Sequence, residues 1–212
     1  METEYKHLLM WYSLIVAIVG DFAVPYILAR FYRGYSHKTM LMSSLGNRNS
    51  PVKTYYNAWL IVLGVLLTMA AFTLYSRYVT VSKPLSIFVA ILVLIFALGA
   101  GLIAGMFSVS ESKEDKTIAS QIHGIGSASG FTALLFAPLF IALLSFKDSD
   151  IIAGIVCSLS FIAAFLFFMF FIMAEKTVFE NTMIAREGLW QRLTLLFIYV
   201  PFGYIAVQNL IK

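Results

Sequence analysis

Three ionisable residues stand out in this 212-residue chain: Asp21 within a long apolar run, His37 in a polar loop, and His123 at the start of another apolar run. Two histidines and a carboxylate are ligand types of catalytic zinc sites, in which a fourth position is left for water. Zinc-bound water is nucleophilic near neutral pH, so this set suits hydrolysis of a lipid amide or ester. The sequence shows no HExxH-like spacing, and the zinc hypothesis therefore depends on the fold bringing the three residues together.

Asp21, His37 and His123 also fit other roles. Without a metal, the histidines would act as acid and base, with Asp21 orienting one of them. Pro25 has no N–H, so the carbonyl of Asp21 loses its helical partner, and a carboxylate beside a freed carbonyl suits a proton or a cation. A small ion-coupled transporter or channel-like protein would use Asp21 in this way, and in a transporter His123 would be its partner. In a purely structural protein the three side chains would be interhelical hydrogen-bond partners.

Other polar residues gather on the side of the chain that carries the first, third and fifth loops, here called the odd-loop side. Those predicted to bind a ligand are Ser36, Asn47, Arg48, Asn57 and Ser127. Arg48, with Arg30, Arg33 and Lys53, would hold a phosphate headgroup. We therefore expect a polar cavity on the odd-loop side that binds, or acts on, a lipid or other amphiphile.

The composition indicates a membrane protein. Hydrophobic residues make up 60% of the chain and charged residues 12%, and the mean hydropathy is +0.87. Six apolar runs are each long enough to cross a bilayer of roughly 30 Å. They cover residues 8–30, 55–75, 85–107, 124–146, 151–174 and 189–210. These runs predict an all-α bundle of six transmembrane helices, forming a single domain over residues 1–212.

Two details of this bundle follow from local patterns. Ser36 is placed to cap a short helix over residues 37–45, which would lie at the membrane interface within the long first loop. In the third run, Ala97, Gly101 and Gly105 recur every four residues, which favours close helix packing. The same small-residue faces would permit a homo-oligomer.

The charges predict topology and exclude nucleic acid as a partner. Ten of the 15 Lys and Arg residues, including Lys113 and Lys116, fall on the odd-loop side. By the positive-inside rule these loops are cytoplasmic and both termini lie outside. The first run is too long for a cleavable signal core. Membrane lipids are the expected partners, and the single cysteine, Cys157, excludes a disulfide within the chain.

Several short motifs resemble a bacterial six-span membrane family catalogued as domain of unknown function 998. They are the run Gly34-Tyr35-Ser36-His37, then Ser43 and Leu45-Gly46, Asn57 opening a span, Gly105-Met106-Phe107 closing the third span and His123 opening the fourth. The chain departs from the family pattern at Ser44, often acidic there, and at Ser108, often proline. The resemblance covers nearly the whole chain and implies an integral protein of a bacterial plasma membrane, without an agreed activity. The pattern is also distantly similar to that of eukaryotic multi-span lipid-associated families.

Overall fold

The structure, a computed structural model, describes residues 2–109 and 117–211, with side chains from Leu8 onward. Lys113 and Lys116, which contribute to the charge count, lie outside the described residues. The six long helices are α1 (Glu2–Ala29), α2 (Lys53–Tyr78), α3 (Lys83–Met106), α4 (Ile118–Lys147), α5 (Ile151–Ala174) and α6 (Glu187–Ile211). Each is long and apolar enough to span a membrane, which confirms the predicted six spans.

The helices pack in chain order as a closed ring. Each contacts the next, α6 returns to contact α1, and α4 also touches α6. The interior is filled by apolar side chains that are almost fully buried, among them Leu63, Leu67, Leu134 and Phe202. α5 is the helix most exposed to the surroundings, since only 17% of the residues in its most apolar 18-residue stretch are buried inside the protein. This surface suits contact with lipid.

α3 is not a uniform α-helix. An α-helical part, Lys83–Phe96, continues through a π-helical stretch, Ala97–Ile103, into a last turn, Ala104–Met106. Its small residues permit close contact with both neighbours: a Cβ on Gly101 would lie 2.6 Å from the Cα of Gly64 in α2. A Cβ on Gly126 in α4 would lie 2.9 Å from the carbonyl oxygen of Gly99. The small residues therefore serve packing within the chain, while a homo-oligomer stays a prediction.

The first loop, residues 30–52, does not form the predicted helix over residues 37–45. Ser36 begins a single turn, and a 3₁₀ helix follows over Met42–Gly46. The physical reason lies in α6. The carbonyl of Lys38 and the N–H of Met42, which would bond to each other in an α-helix, instead bond to the N–H of Leu189 and the side chain of Gln191. The interfacial position of this segment stays a prediction.

Candidate functional site

A cleft of about 310 Å³ opens on the odd-loop side, where α3 ends and α2 and α4 begin. We call it the α3-end cleft. Among the described residues, its lining combines two cations, two hydroxyl groups and apolar side chains: Arg48, Lys53, Ser108, Thr117, Met106, Phe107, Val109 and Ala119. Such a mixture can hold an anionic group and an apolar group side by side.

Asn47 positions the arginine of this cleft. It is 5% exposed, and its side-chain oxygen accepts a hydrogen bond from the backbone N–H of Asn49 at 2.9 Å. Its amide nitrogen donates to the hydroxyl of Tyr32 at 3.3 Å. These bonds fix the turn that carries Arg48, whose own side chain stays exposed at the cleft. Asn47 therefore acts through Arg48.

Asn57 connects the first loop to the end of α3. Its amide nitrogen donates to the Ser108 hydroxyl at 3.3 Å, and its side-chain oxygen packs directly against Gly46, where a Cβ would overlap it. Ser108 supplies a hydroxyl that both accepts from Asn57 and lines the cleft.

His123 holds the other wall of the cleft. Its Nδ1 lies 2.7 Å from the carbonyl oxygen of Phe107 and 3.2 Å from that of Ala104, and the side chain is 4% exposed. Both partners are acceptors, so Nδ1 must carry the proton. Carbonyl groups at a helix end lack helical donors, and His123 satisfies two of them. Ser127 lies one turn further along α4, half-buried and outside the cleft lining.

A second polar group, the Asp21 cluster, lies deeper in the bundle and consists of Asp21, Tyr56, Trp59 and Tyr199. Asp21 is 3% exposed and accepts a hydrogen bond from the Tyr199 hydroxyl at 2.9 Å. The Trp59 ring packs on Gly20, and its N–H interacts with Asp21 without meeting hydrogen-bond geometry. Tyr56 lies within electrostatic range of Asp21. The cluster thus joins α1, α2 and α6.

Arg192, near the start of α6, fastens the first loop above this cluster. Its Nη1 donates to the carbonyl oxygens of His37 (2.8 Å), Met40 (3.1 Å) and Gly188 (2.7 Å), and its Nη2 donates to the Tyr35 hydroxyl at 2.6 Å. Gly188 allows this contact, because a Cβ there would overlap the Met40 carbonyl. The guanidinium fork suits several acceptors held in one plane.

His37 and Tyr35 contact each other in this cap. The His37 ring stacks on Tyr26 at 5.2 Å between centroids and meets Tyr35 edge-on at 5.3 Å. Partial burial, reinforced by the nearby Arg192 charge, lowers the pKa of His37, so the neutral ring is favoured. Burial raises the pKa of Tyr35 despite the opposing effect of Arg192. Ser36 supports the adjoining turn by accepting from the Thr39 N–H at 3.4 Å.

The predicted site residues thus separate into two groups. Arg48 lines the α3-end cleft, with Asn47, Asn57 and His123 behind it, whereas Asp21 and His37 belong to the cluster and its cap. In the described part of the chain, no three His, Cys, Asp or Glu side chains gather as a metal would require. The zinc hypothesis for Asp21, His37 and His123 therefore has no geometric support.

Sequence reasoning missed the partners of Asp21 and of the first loop. Tyr199 and Arg192 were not singled out, although they lie seven residues apart and hence on one face of α6. That spacing is the pattern in the sequence that could have indicated a shared polar face. Trp59 and Tyr56 gave none, because aromatic residues are common in membrane helices whatever their contacts.

A protein-family model matches residues 15–208, and its description reads "Protein of unknown function (DUF998)". The chain belongs to the DUF998 family. This confirms the resemblance stated from the motifs. No curated protein matches the chain, and neither does any solved structure. The six spans and DUF998 membership identify a multi-pass membrane protein, whereas its bacterial source, plasma-membrane location and cytoplasmic odd loops stay predictions.

Proposed function

We propose that this protein binds a membrane amphiphile with an anionic headgroup in the α3-end cleft. The observation that carries the proposal is the lining of the cleft, in which Arg48 and Lys53 are accompanied by the hydroxyl groups of Ser108 and Thr117. Cations and hydroxyl groups are side-chain groups that recognise phosphate oxygens. An anionic headgroup is therefore the favoured ligand.

The apolar part of the lining supports an amphiphile over a free anion. Phe107 lines the cleft, and Met106 at the end of α3 is 69% exposed. Both lie at the end of a span, where a headgroup at the interface would place its acyl chains along the helices. The backbone behind the cleft is fixed by a hydrogen bond that Asn47 accepts and by bonds that Asn57 and His123 donate, which favours a preformed binding site.

Titration of delipidated protein with phosphatidylglycerol, followed by native mass spectrometry, tests the proposal. We expect the double substitution Arg48→Ala, Lys53→Ala to weaken binding about 5-fold for each cation removed, since a cation near an anionic surface contributes about 1 kcal/mol. Phosphatidylcholine, whose headgroup has no net charge, should bind more weakly to the wild type. Inorganic phosphate competing at equal strength would instead identify a free anion as the ligand.

The matched control is Lys83→Ala, Lys147→Ala, which removes two exposed cations from the opposite end of the bundle. Binding should be unchanged in this variant. Equal loss of lipid in both double variants would mean that total charge, and not the cleft, attracts the lipid. Unchanged binding after loss of Arg48 and Lys53 would also contradict the proposal.

A further inference from the structure

Asp21 is a buried carboxylate within the first span. It lies eight residues before the end of α1 at Ala29, or about 12 Å along the helix axis, which places it deep within the span. In the described part of the chain, no Lys, Arg or His side chain forms an ion pair with it. An ionised carboxylate at this depth is costly unless other groups compensate it.

The groups around Asp21 compensate the charge only in part. The Tyr199 hydroxyl donates to it at 2.9 Å. The Trp59 N–H lies near Asp21. Among the described residues, this N–H is buried without a hydrogen-bond partner. Pro25 further leaves the Asp21 carbonyl oxygen without its helical donor. The Tyr199 and Trp59 donors favour the ionised form, whereas burial in the membrane and the freed carbonyl oxygen favour the neutral form.

We propose that Asp21, Tyr199 and Trp59 form a proton-binding site inside the bundle, at which Asp21 gains and loses a proton under working conditions. A proton suits these neighbours better than a metal ion does, because an indole N–H offers no lone pair to a cation. The Tyr199 hydroxyl serves both states. It donates to the ionised carboxylate, and its oxygen accepts from the O–H of the protonated acid.

Two long helices pack on α1 and face the site, and the 3₁₀ helix Met42–Gly46, which also packs on α1, carries no titratable residue. Tyr56 and Trp59 face it from α2, and Tyr199 faces it from α6. Tyr56 also lies within electrostatic range of Tyr35 in the first loop and of Arg192 in α6. The guanidinium of Arg192 is already bonded to the cap. None of these residues is among the described lining residues of the α3-end cleft.

Infrared difference spectroscopy in lipid nanodiscs, with ¹³C-labelled aspartate, tests this proposal through the carbonyl stretch of protonated carboxylic acids. Between about pH 5 and about pH 9, the range in which buried carboxyl groups titrate, the wild type should show a band that rises as the pH falls. Asp21→Asn should remove this band. In Tyr199→Phe the band should persist about one to two pH units higher, because the bond lost from the ionised form is charge-assisted and stronger than the bond lost from the neutral form.

Asp148→Asn is the matched control, since that carboxylate is paired with Arg77 at the opposite end of the bundle, and the band should survive it. An Asp21 band that is constant across the whole range, or absent throughout it, would overturn the proposal. If Asp21→Asn does not fold, the labelled wild type and Tyr199→Phe still decide the question. Lipid binding in the α3-end cleft is measured separately, so either proposal can fail without the other.

Discussion

His123 stabilises the end of α3 from a neighbouring helix. One N–H is shared between the carbonyl oxygens of Phe107 and Ala104, and the ring is almost fully buried. A residue that resembled a metal ligand or a catalytic base in the sequence thus has a defined structural partner. Its contribution to the cleft is positional, because Phe107 is part of the cleft wall.

His123→Ala should lower the free energy of unfolding by about 1 to 2 kcal/mol, since it leaves two buried carbonyl groups without a donor. His123→Asn should lose less, because the asparagine amide nitrogen takes a position close to that of Nδ1. Unfolding in mixed micelles measures both values. Ser127→Ala, on the same helix but half-buried, is the control and should be near neutral. Equal losses for Ala and Asn would show that the hydrogen bonds are not what His123 contributes.

Among the helices, α3 depends most on backbone contact. Its π-helical stretch, Ala97–Ile103, contains Gly99 and Gly101, which face α4 and α2 respectively. π-Helical turns inside α-helices frequently mark functional sites. Here the stretch immediately precedes the turn that lines the α3-end cleft, so the packing of α3 and the shape of the cleft are connected.

Gly99→Ala should destabilise the protein by about 1 to 3 kcal/mol, because the added Cβ would overlap the Gly126 carbonyl, a backbone atom that cannot move aside. Gly124→Ala provides the matched control on α4. A Cβ there meets nothing within 4 Å, so the substitution should be neutral or slightly stabilising. The measurement is the midpoint of thermal unfolding of both variants in the same detergent, which should be lower for Gly99→Ala. Similar midpoints would contradict the close approach of α3 and α4.

The first loop is held to α6 by Arg192, in addition to the hydrogen bonds within the loop. Arg192→Lys should release it, because an ammonium group cannot reproduce the fork that reaches Tyr35, His37 and Met40. We expect trypsin to cleave after Lys38, which is exposed, about tenfold faster in detergent, as a loss of about 1.4 kcal/mol would give. Arg186→Lys, on the turn before α6, should leave the rate unchanged. Unaltered cleavage in Arg192→Lys would show that other contacts hold the loop.

At the scale of the molecule, hydropathy was enough to predict the spans, because bilayer thickness and helix rise together set their length. The odd-loop location of the polar residues was also visible. The hydrogen-bonded pairs within this polar region could not be predicted from the sequence. Arg192 and His37 are 155 residues apart and Asp21 and Tyr199 are 178 apart, so no local pattern reports them. The helix predicted over residues 37–45 was wrong for the same reason: distant residues of α6 take its hydrogen-bonding groups.

The closed ring of helices has a consequence for how the protein is made. Asp21 is synthesised in the first helix and its donor Tyr199 in the last, 178 residues later. At about 5 to 20 residues per second, translation delivers the acid about 10 to 40 s before its partner. During that interval the nascent chain carries Asp21 without its Tyr199 donor. A chain that stops before α6 never acquires this hydrogen bond.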